Sequence, residues 1–233
     1  MPAFSQSQSG SDKAASALAD EPPSPTHTDP SQFDISDKQL ADQPWQSDQA
    51  EMADWICGSL CFMHEIKSAS WHNVLDDRLA QRMAHILATH IHDIWAYSSF
   101  NGQADMRFQV SIVWSDDADI QALNSQFRSK DKPTNVLSFP DDSFDPETGA
   151  VHLGDIILSF ETMKKEADIS AISLGDHTTH LLLHGLLHLL GYDHIAADEA
   201  LEMESLETKI LTDLGLADPY EQPLLAAALK EIS

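Results

Sequence analysis

Three histidines stand close together in one leucine-rich stretch, HGLLHLLGYDH, which runs from residue 184 to residue 194. Residues four apart on a helix share one face about one turn from each other, so His184 and His188 can bind the same metal ion. Gly191 can take the left-handed conformation that ends a helix, and the resulting turn can bring His194 back towards the other two. The pattern HxxxHxxGxxH therefore predicts a metal site on a helix–glycine-turn motif. Three neutral imidazoles leave one position of a tetrahedral Zn²⁺ open, which is typical of a catalytic site.

A structural role is the alternative for any one of these histidines. The chain has 12 of them, and a single histidine is more often a packed or surface residue than a ligand. The joint spacing is harder to obtain by chance, and the leucines between the histidines indicate a dry and rigid helix. His180 lies one further turn back on the ligand face. We assign His180 to substrate binding beside the metal, with a structural role as the alternative.

Gly185 distinguishes this pattern from that of the zinc peptidases. In those enzymes a glutamate directly follows the first histidine and acts as the general base, whereas glycine has no side chain that could take a proton. The sequence therefore favours either another helper for the metal-activated water or a substrate that brings its own nucleophile. The 2′-hydroxyl of RNA is such a nucleophile, with the ion acting as a Lewis acid or a source of hydroxide.

A basic loop is the second candidate for chemistry. Arg128, Lys130 and Lys132 are concentrated in the stretch FRSKDKPTNVLSFP, residues 127–140, of an otherwise acidic chain. A solvated loop is the usual explanation for such a run of charges. Arginine is, however, the side chain best shaped for two-pronged contact with phosphate. We therefore predict that Arg128 is catalytic, holding the scissile phosphate, and that Lys130 and Lys132 bind substrate.

Hydrophobic periodicity predicts the elements that must position these residues. Alternating apolar residues favour strands, and apolar residues three or four apart favour helices. The predicted strands are 107–114, 135–139 and 153–159, and the predicted helices are 76–93, 115–127, 160–168, 176–190 and 197–215. The stretch 141–150, with a proline and a glycine, is predicted to be a loop. Because no regular βαβ repeat is present, we expect an α+β domain with a small mixed β-sheet packed with helices.

Composition divides the chain into three parts. Residues 1–53 are rich in Ser, Asp, Gln, Pro and Ala, and we expect a disordered acidic extension because such a segment buries too little apolar surface. Residues 54–220 are predicted to form the catalytic domain, and residues 221–233 a helical tail. The first residues lack the apolar core of a secretory signal and the arginines of a mitochondrial presequence. Since no apolar run could span a bilayer, we expect a soluble, intracellular protein without a membrane partner.

Charge and cysteine content narrow the function further. The formal net charge of −25 argues against DNA as a partner and lowers the expectation of RNA binding, although a local basic patch remains compatible with it. Cys57 and Cys61 are the only cysteines, which agrees with a reducing compartment. Their CxxxC spacing could place both on one helical face. We interpret them as small apolar residues, with a redox pair or a second metal site as the alternative.

Three stretches, RSKDKPTNVLSFP, LGDIILS and HGLLHLLGYDH, resemble the bacterial YbeY family in the same order. The similarity extends from about Met106 to Tyr220, through AADEALEMESLE. This resemblance implies a metal-dependent endoribonuclease that takes part in ribosomal RNA maturation. It also implies that His184, His188 and His194 bind zinc and that Arg128 contributes to activity. The implied substrate is single-stranded RNA at the three-prime end of small-subunit ribosomal RNA, with a part in ribosome quality control in the cytoplasm.

The resulting hypothesis is an endoribonuclease with one Zn²⁺ per chain, whose partners are single-stranded RNA and the small ribosomal subunit with its proteins. The long acidic extension and the stretch 54–101 depart from the family pattern. Two alternatives stay open at this point. One is a metal-dependent peptide or amide hydrolase, which the histidine pattern favours and Gly185 opposes. The other is a non-catalytic ribosome-assembly factor whose ion is structural.

Overall fold

The computed structural model describes residues 54–99 and 106–221. The predicted disordered extension, residues 1–53, lies outside the described residues. So does the predicted C-terminal helical tail, apart from Glu221. Both therefore stay predictions. Within the described ranges, none of the helices combines the length and the apolar character that crossing a membrane requires.

Strands and helices alternate irregularly along the described chain. The strands are β1 (Trp55–Cys57), β2 (Leu60–Ile66), β3 (Arg107–Ser115), β4 (Val136–Asp145) and β5 (Ala150–Ser159). The α-helices are α1 (Asp77–Ile94), α2 (Asp117–Arg128), α3 (Phe160–Ser170), α4 (Leu174–Leu189) and α5 (Ala197–Asp213), and a short 3₁₀ helix spans Ala69–Asn73. The starts of α1, α2 and α4 are capped by Asp76, Asp116 and Ser173, whose side chains accept backbone N–H bonds.

The five strands form one mixed sheet in the order β1-β2-β3-β5-β4. Strands β2, β3 and β5 run parallel, whereas β1 pairs with β2 and β4 pairs with β5 in the antiparallel direction. With helices packed on this sheet, the predicted α+β fold is confirmed. Strand β4 forms one edge, and it is the strand that directly follows the basic loop.

Apolar residues on both faces of the sheet hold the helices in place. The larger core joins one face to α1, α4 and α5 through fully buried side chains such as Ile112, Met83 and Leu186. On the other face, Ile120 of α2 packs against Leu137 and Ile157. Helix α4 is buried on several sides because it contacts β4, β5, α1, α3 and α5. The central helix of the domain is thus the one that carries the histidines.

One prediction about local structure was wrong. The predicted loop 141–150 is largely strand, because β4 continues to Asp145 and only residues 146–149 form the turn to β5. Residues 140–144 are exposed on this edge strand, and the pairing shifts between Pro140 and Ser143, so the alternation that signals a strand is missing.

The cysteines do not share a helical face. Gly58, with φ of 63°, makes the turn between β1 and β2, so Cys57 and Cys61 lie on neighbouring strands of a hairpin. The hairpin was missed because β1 is only 3 residues long. Both thiols are free and half-buried. Burial, with a smaller contribution from Cys61, raises the pKa of Cys57 to about 12, which suits a packed thiol rather than a reactive one.

Candidate metal centre

Helix α4 and the turn after it bring the three predicted ligands together. The helix ends at Leu189, and Gly191 follows with φ of 95°, in the left-handed region where glycine has no steric penalty. The N–H of Tyr192 donates to the carbonyl of Leu187 at 3.0 Å, which closes the turn and sends the chain back along the helix. His194 therefore returns to the face that carries His184 and His188.

The imidazoles converge closely enough to share one ion. The ring centroids lie 4.6 Å apart for His184 and His188, 4.9 Å for His188 and His194, and 5.4 Å for His184 and His194. Each ring offers one nitrogen, and these three atoms all lie within 4.8 Å of one another. Such a set of imidazole nitrogens is the usual ligand type for Zn²⁺ and for several other divalent ions.

The protons on two of these rings are fixed by their hydrogen bonds. His184 Nδ1 lies 2.8 Å from Oε1 of Glu207, and His188 Nδ1 lies 3.0 Å from the carbonyl oxygen of Tyr192. The carbonyl oxygen of Tyr192 and the ionised carboxylate of Glu207 can accept hydrogen bonds but cannot donate them. Each neutral ring therefore carries its proton on Nδ1. The two Nε2 atoms then face each other with lone pairs at 3.1 Å. Lone pairs at that distance repel unless a cation lies between them, so this donor set fits a divalent metal ion.

His188 is also kept in the form that a metal requires. Burial, followed by the neighbouring charges of His184 and His194, lowers the pKa of His188 to about 4. A metal ligand must be neutral imidazole, and proton binding competes with metal binding. At neutral pH His188 is therefore ready to bind without first losing a proton.

Glu207 is a site residue that the sequence interpretation missed. It lies on α5, has an exposed fraction of 0 %, and also accepts hydrogen bonds from His180 Nε2 at 3.1 Å and from the hydroxyl of Tyr220. Burial alone would raise the pKa of Glu207, but the hydrogen bonds of His180 and His184 and their charges lower it below its ordinary value. The sequence does contain a signal for it, because an acidic residue on the apolar face of a helix, here Glu207 between Met203 and Ile210 on α5, indicates a buried acid with partners.

A second set of donor atoms overlaps with the first. His180, His184 and Glu207 also offer ligand atoms within 4.8 Å of one another. Here, however, the carboxylate already accepts bonds from both rings and from Tyr220, so its oxygens are satisfied without an ion. We therefore interpret Glu207 as the acid that orients the histidines.

One cavity connects the histidines with the basic loop. Its volume is about 610 Å³, and Arg128 lines it together with His184, His188 and His194. Residues 134–138 at the start of β4 form another wall. Arg128 is exposed at the end of α2, so its guanidinium is available to a ligand in this cavity. The arrangement can hold an anion between a metal ion and a guanidinium.

The remaining predicted substrate-binding residues lie in different surroundings. His180 lines the cavity, one turn from His184, with its Nε2 on Glu207. Lys130 and Lys132 do not belong to the lining of this cavity. Lys130 is exposed on the loop, and the carbonyl of Lys132 accepts a bond from the Asn124 amide at 2.8 Å. The structure thus brings His180 to the site and leaves the two lysines on the loop beside Arg128.

The packing of Gly185 explains why no glutamate follows His184. A Cβ atom at this position would lie 3.0 Å from Ser138 Oγ and 3.0 Å from Ile156 Cγ2. Residue 185 therefore faces the sheet, in tight contact with β4 and β5, and not the cavity. A peptidase-type general base has no room there.

A second buried acid fixes the wall of the cavity. Glu166 of α3 is 1 % exposed and lies 2.8 Å from Nε2 of His177. Its two oxygens also accept bonds from Nδ2 of Asn135, at 3.3 and 3.1 Å. Asn135 precedes β4 and lines the cavity, so Glu166 ties the basic loop to α4. Sequence reasoning missed this network because it depends on the packing of three separate elements.

The chain is similar to one protein family and to several of its individual members. A family model described as endoribonuclease YbeY matches residues 71–215. The chain is 57% identical over 116 residues to an endoribonuclease YbeY of Rhizobium etli, which covers 48% of this chain and 67% of the relative. It is 43% identical over 162 residues to that of Sphingopyxis alaskensis, which covers 66% of this chain and 93% of the relative. The solution structure of TM1509 from Thermotoga maritima matches with a TM-score of 0.40 and 20% identity, covering 69% of this chain and 99% of that one.

Proposed function

The chain belongs to the endoribonuclease YbeY family, and from this premise we propose that residues 54–220 form a zinc-dependent endoribonuclease domain specific for single-stranded RNA. One observation carries the proposal. The three converging imidazoles and Arg128 line the same cavity, so an RNA strand bound there can contact both an ion at the histidines and the guanidinium.

The three histidines are the proposed ligands, with one Zn²⁺ per chain. A divalent cation held there supplies a Lewis acid beside the phosphate and lowers the pKa of bound water. Arg128 binds the phosphate oxygens and stabilises the negative charge that develops on them. Glu207 keeps His184 in the required tautomer, and the Tyr192 carbonyl does the same for His188. His180, Lys130 and Lys132 are the proposed contacts to the rest of the substrate.

The proposed substrate is the three-prime end of small-subunit ribosomal RNA, in maturation and in ribosome quality control in the cytoplasm. The support is the resemblance of the motif stretches to this family and the name endoribonuclease carried by the relatives. The small ribosomal subunit and its proteins are the proposed partners. Because the chain has a formal net charge of −25, recognition of RNA must rely on the cavity and the basic loop beside it.

Gly185 weighs against the peptide or amide hydrolase. The base of such an enzyme is missing, and the packing against Ser138 and Ile156 leaves no space for one. An RNA substrate carries its own nucleophile, the 2′-hydroxyl, and so needs no glutamate to position an attacking water. The non-catalytic alternative requires a fourth protein ligand, whereas the group of described residues that could hold the ion at the proposed centre has three members.

The decisive experiment is cleavage of single-stranded ribosomal RNA by the zinc-loaded protein and its variants. We expect His188→Ala and Arg128→Ala to lose cleavage, while His72→Ala and Arg78→Ala, which change exposed residues outside the cavity, retain it. Equal cleavage by all five proteins would reject the assigned roles. A chelator-sensitive cleavage of peptides without cleavage of RNA would favour the hydrolase instead. Metal analysis with the coordination shell of the ion distinguishes an open position from a fourth protein ligand.

A further inference from the structure

The cavity of about 610 Å³ that is lined by the three histidines and Arg128 is called the metal cavity. A smaller cavity, called the side cavity, lies next to it. Its volume is about 280 Å³. Residues 170–173, from the last residue of α3 to the start of α4, form its walls together with the first turns of α4 and residues 216–219 after α5. Pockets for drug-sized ligands have about 300–1,000 Å³, so the side cavity suits a group of the size of one heteroaromatic ring system.

The two cavities share part of their lining. His177 and His180 belong to both, and they separate the side cavity from the histidine cluster. The ring of His180 lies 6.2 Å from that of His184, which is a distance of about one helical turn. A nucleotide whose phosphate lies at the histidines can therefore place its base beyond His180. This inference rests on the proposed RNA cleavage.

The charges of the side cavity do not favour a phosphate as its occupant. Among the described residues that line it there is no lysine or arginine, and the carboxylates of Asp176 and Asp218 belong to the lining. Arg82, which is not part of this lining, already forms an ion pair with Asp176 at 2.7 Å. The metal cavity, with its histidines and Arg128, is the better place for phosphate, and an uncharged or cationic group suits the side cavity.

Apolar walls and hydrogen-bond acceptors define that group further. Ile172, Leu211 and Leu216 provide an apolar surface on which a flat ring can pack. Asp176 uses Oδ1 for an ion pair with Arg82 at 2.7 Å, and Asp218 uses Oδ1 for Thr208 and the N–H of Tyr220. Within residues 54–99 and 106–221, the other oxygen of each carboxylate has no hydrogen-bond partner. An amino group on a ring edge would satisfy such an acceptor.

We propose that the side cavity binds the base of a nucleotide next to the scissile phosphate, and that it favours bases with an exocyclic amine. Carboxylates accept hydrogen bonds from such amines, as they do from the N4 group of cytosine. Adenine, cytosine and guanine carry one, and uracil does not. Only an unpaired base can enter the cavity, which gives a physical reason for single-strand specificity.

The test uses the full-length, zinc-loaded chain and a short single-stranded RNA with one cleavage site. Each position around that site carries in turn each of the four bases or an abasic ribose. We expect one position at which uracil or the abasic residue lowers kcat/KM by about tenfold relative to the amine-bearing bases. A flat response at every position would overturn the proposal, while leaving the cleavage activity itself established.

Two variants tie that response to the side cavity. Ala217→Trp places an indole at an exposed position of the lining, so the dependence on the base should disappear. Asp176→Asn exchanges one acceptor oxygen for a donor and should weaken the preference for amine-bearing bases. Ala69→Trp, an equal change at an exposed site on the 3₁₀ helix, should behave like the unchanged protein. Retained base dependence in both cavity variants would contradict the assignment.

Binding provides a readout that does not depend on cleavage. The same base scan is made in 2′-O-methyl oligonucleotides, and their affinity for the zinc-loaded protein is measured by fluorescence anisotropy. Base-dependent affinity that Ala217→Trp removes would support the side cavity even if no RNA were cut, in which case the proposed function alone would fail. Equal affinity for all oligonucleotides, together with an effect of Ala217→Trp only on binding to a ribosomal protein, would assign the cavity to a protein partner instead.

Discussion

The carboxylate of Glu207 lies 2.8 Å from Nδ1 of His184, although the two residues are 23 positions apart on different helices. The contact fixes the proton of His184 on Nδ1 and leaves Nε2 facing His188 and His194. A metal-binding histidine commonly depends on such a partner, which orients the ring and raises its basicity. The geometry of the metal centre therefore depends on α5 as much as on α4.

Glu207→Gln should weaken metal binding. The amide lacks the negative charge that holds the His184 proton on Nδ1, and loss of such a partner commonly lowers metal affinity about 10- to 100-fold. Competition between the protein and a chromophoric chelator for zinc measures the affinity without reference to activity. Glu204→Gln, a half-buried acid on the same helix, serves as the control and should leave the affinity unchanged. Equal zinc affinity in both variants would show that Glu207 does not orient the ligand.

Gly185→Ala should destabilise the fold. The added methyl group would lie 3.0 Å from Ser138 Oγ and Ile156 Cγ2, and overpacking of this kind costs about 1–3 kcal/mol of unfolding free energy. Gly175→Ala on the same helix is the matched control, because its Cβ would meet Arg82 Nη1 only at 3.8 Å. That change should be neutral or stabilising by up to about 1 kcal/mol. Urea denaturation of both variants gives the comparison, and a greater loss from Gly175→Ala would contradict it.

Arg128→Lys should lower catalysis without affecting the metal. Lysine keeps the positive charge but cannot make the two parallel bonds of a guanidinium, so kcat/KM on single-stranded RNA should fall by about 10²-fold or more. Zinc affinity should stay the same, because Arg128 is absent from the proposed ligand set. Arg78→Lys, at an exposed position of α1, is the control. Full activity of Arg128→Lys would indicate that only charge is needed at this position.

His64 should make the metal-free protein less stable in mild acid. It lies beside Trp114, whose Nε1–H donates to His64 Nδ1 at 3.1 Å, and burial lowers the pKa of His64 from 6.5 to about 4. Between these pH values the unfolded chain binds the proton and the folded chain does not. The unfolding free energy should therefore fall as the pH drops from about 6.5 to about 4, by at most about 3 kcal/mol from this residue.

His64→Gln keeps an acceptor for Trp114 but does not titrate, so it should make this part of the stability profile less steep and leave the contribution of His188, whose pKa is also lowered to about 4. The exposed His72→Gln should leave the profile as it is. Urea denaturation at several pH values in the presence of a chelator measures both. If the two variants gave the same profile, the acid sensitivity would have to come from other groups.

The sequence was most informative where function depends on local geometry. The convergence of His184, His188 and His194 follows from helical spacing and one glycine turn, so short-range rules were sufficient to predict it. The position of Arg128 beside them was expected from the chemistry, although no local rule determines which face of the sheet α2 packs against. Here the prediction depended on the resemblance of the motif stretches.

The features that could not be predicted from the sequence depend on long-range packing. Glu207 interrupts the apolar face of α5. Only the packing of α5 on α4 shows that its carboxylate oxygens accept hydrogen bonds from His180 and His184. The second half of β4 has no apolar alternation, because an exposed edge strand needs none. The β1–β2 hairpin is held in place by its pairing with β3, a partner more than 40 residues away along the chain.

The order in which the ribosome makes the chain gives the Glu207 contact a further meaning. The histidines of α4 and of the turn after it emerge first, and the acid that sets the tautomer of His184 is translated later, with α5. A nascent chain that ends before residue 207 carries all three imidazoles but lacks the carboxylate that orients His184. We therefore expect tight binding of a metal ion at these histidines only after α5 has been synthesised and has packed against α4.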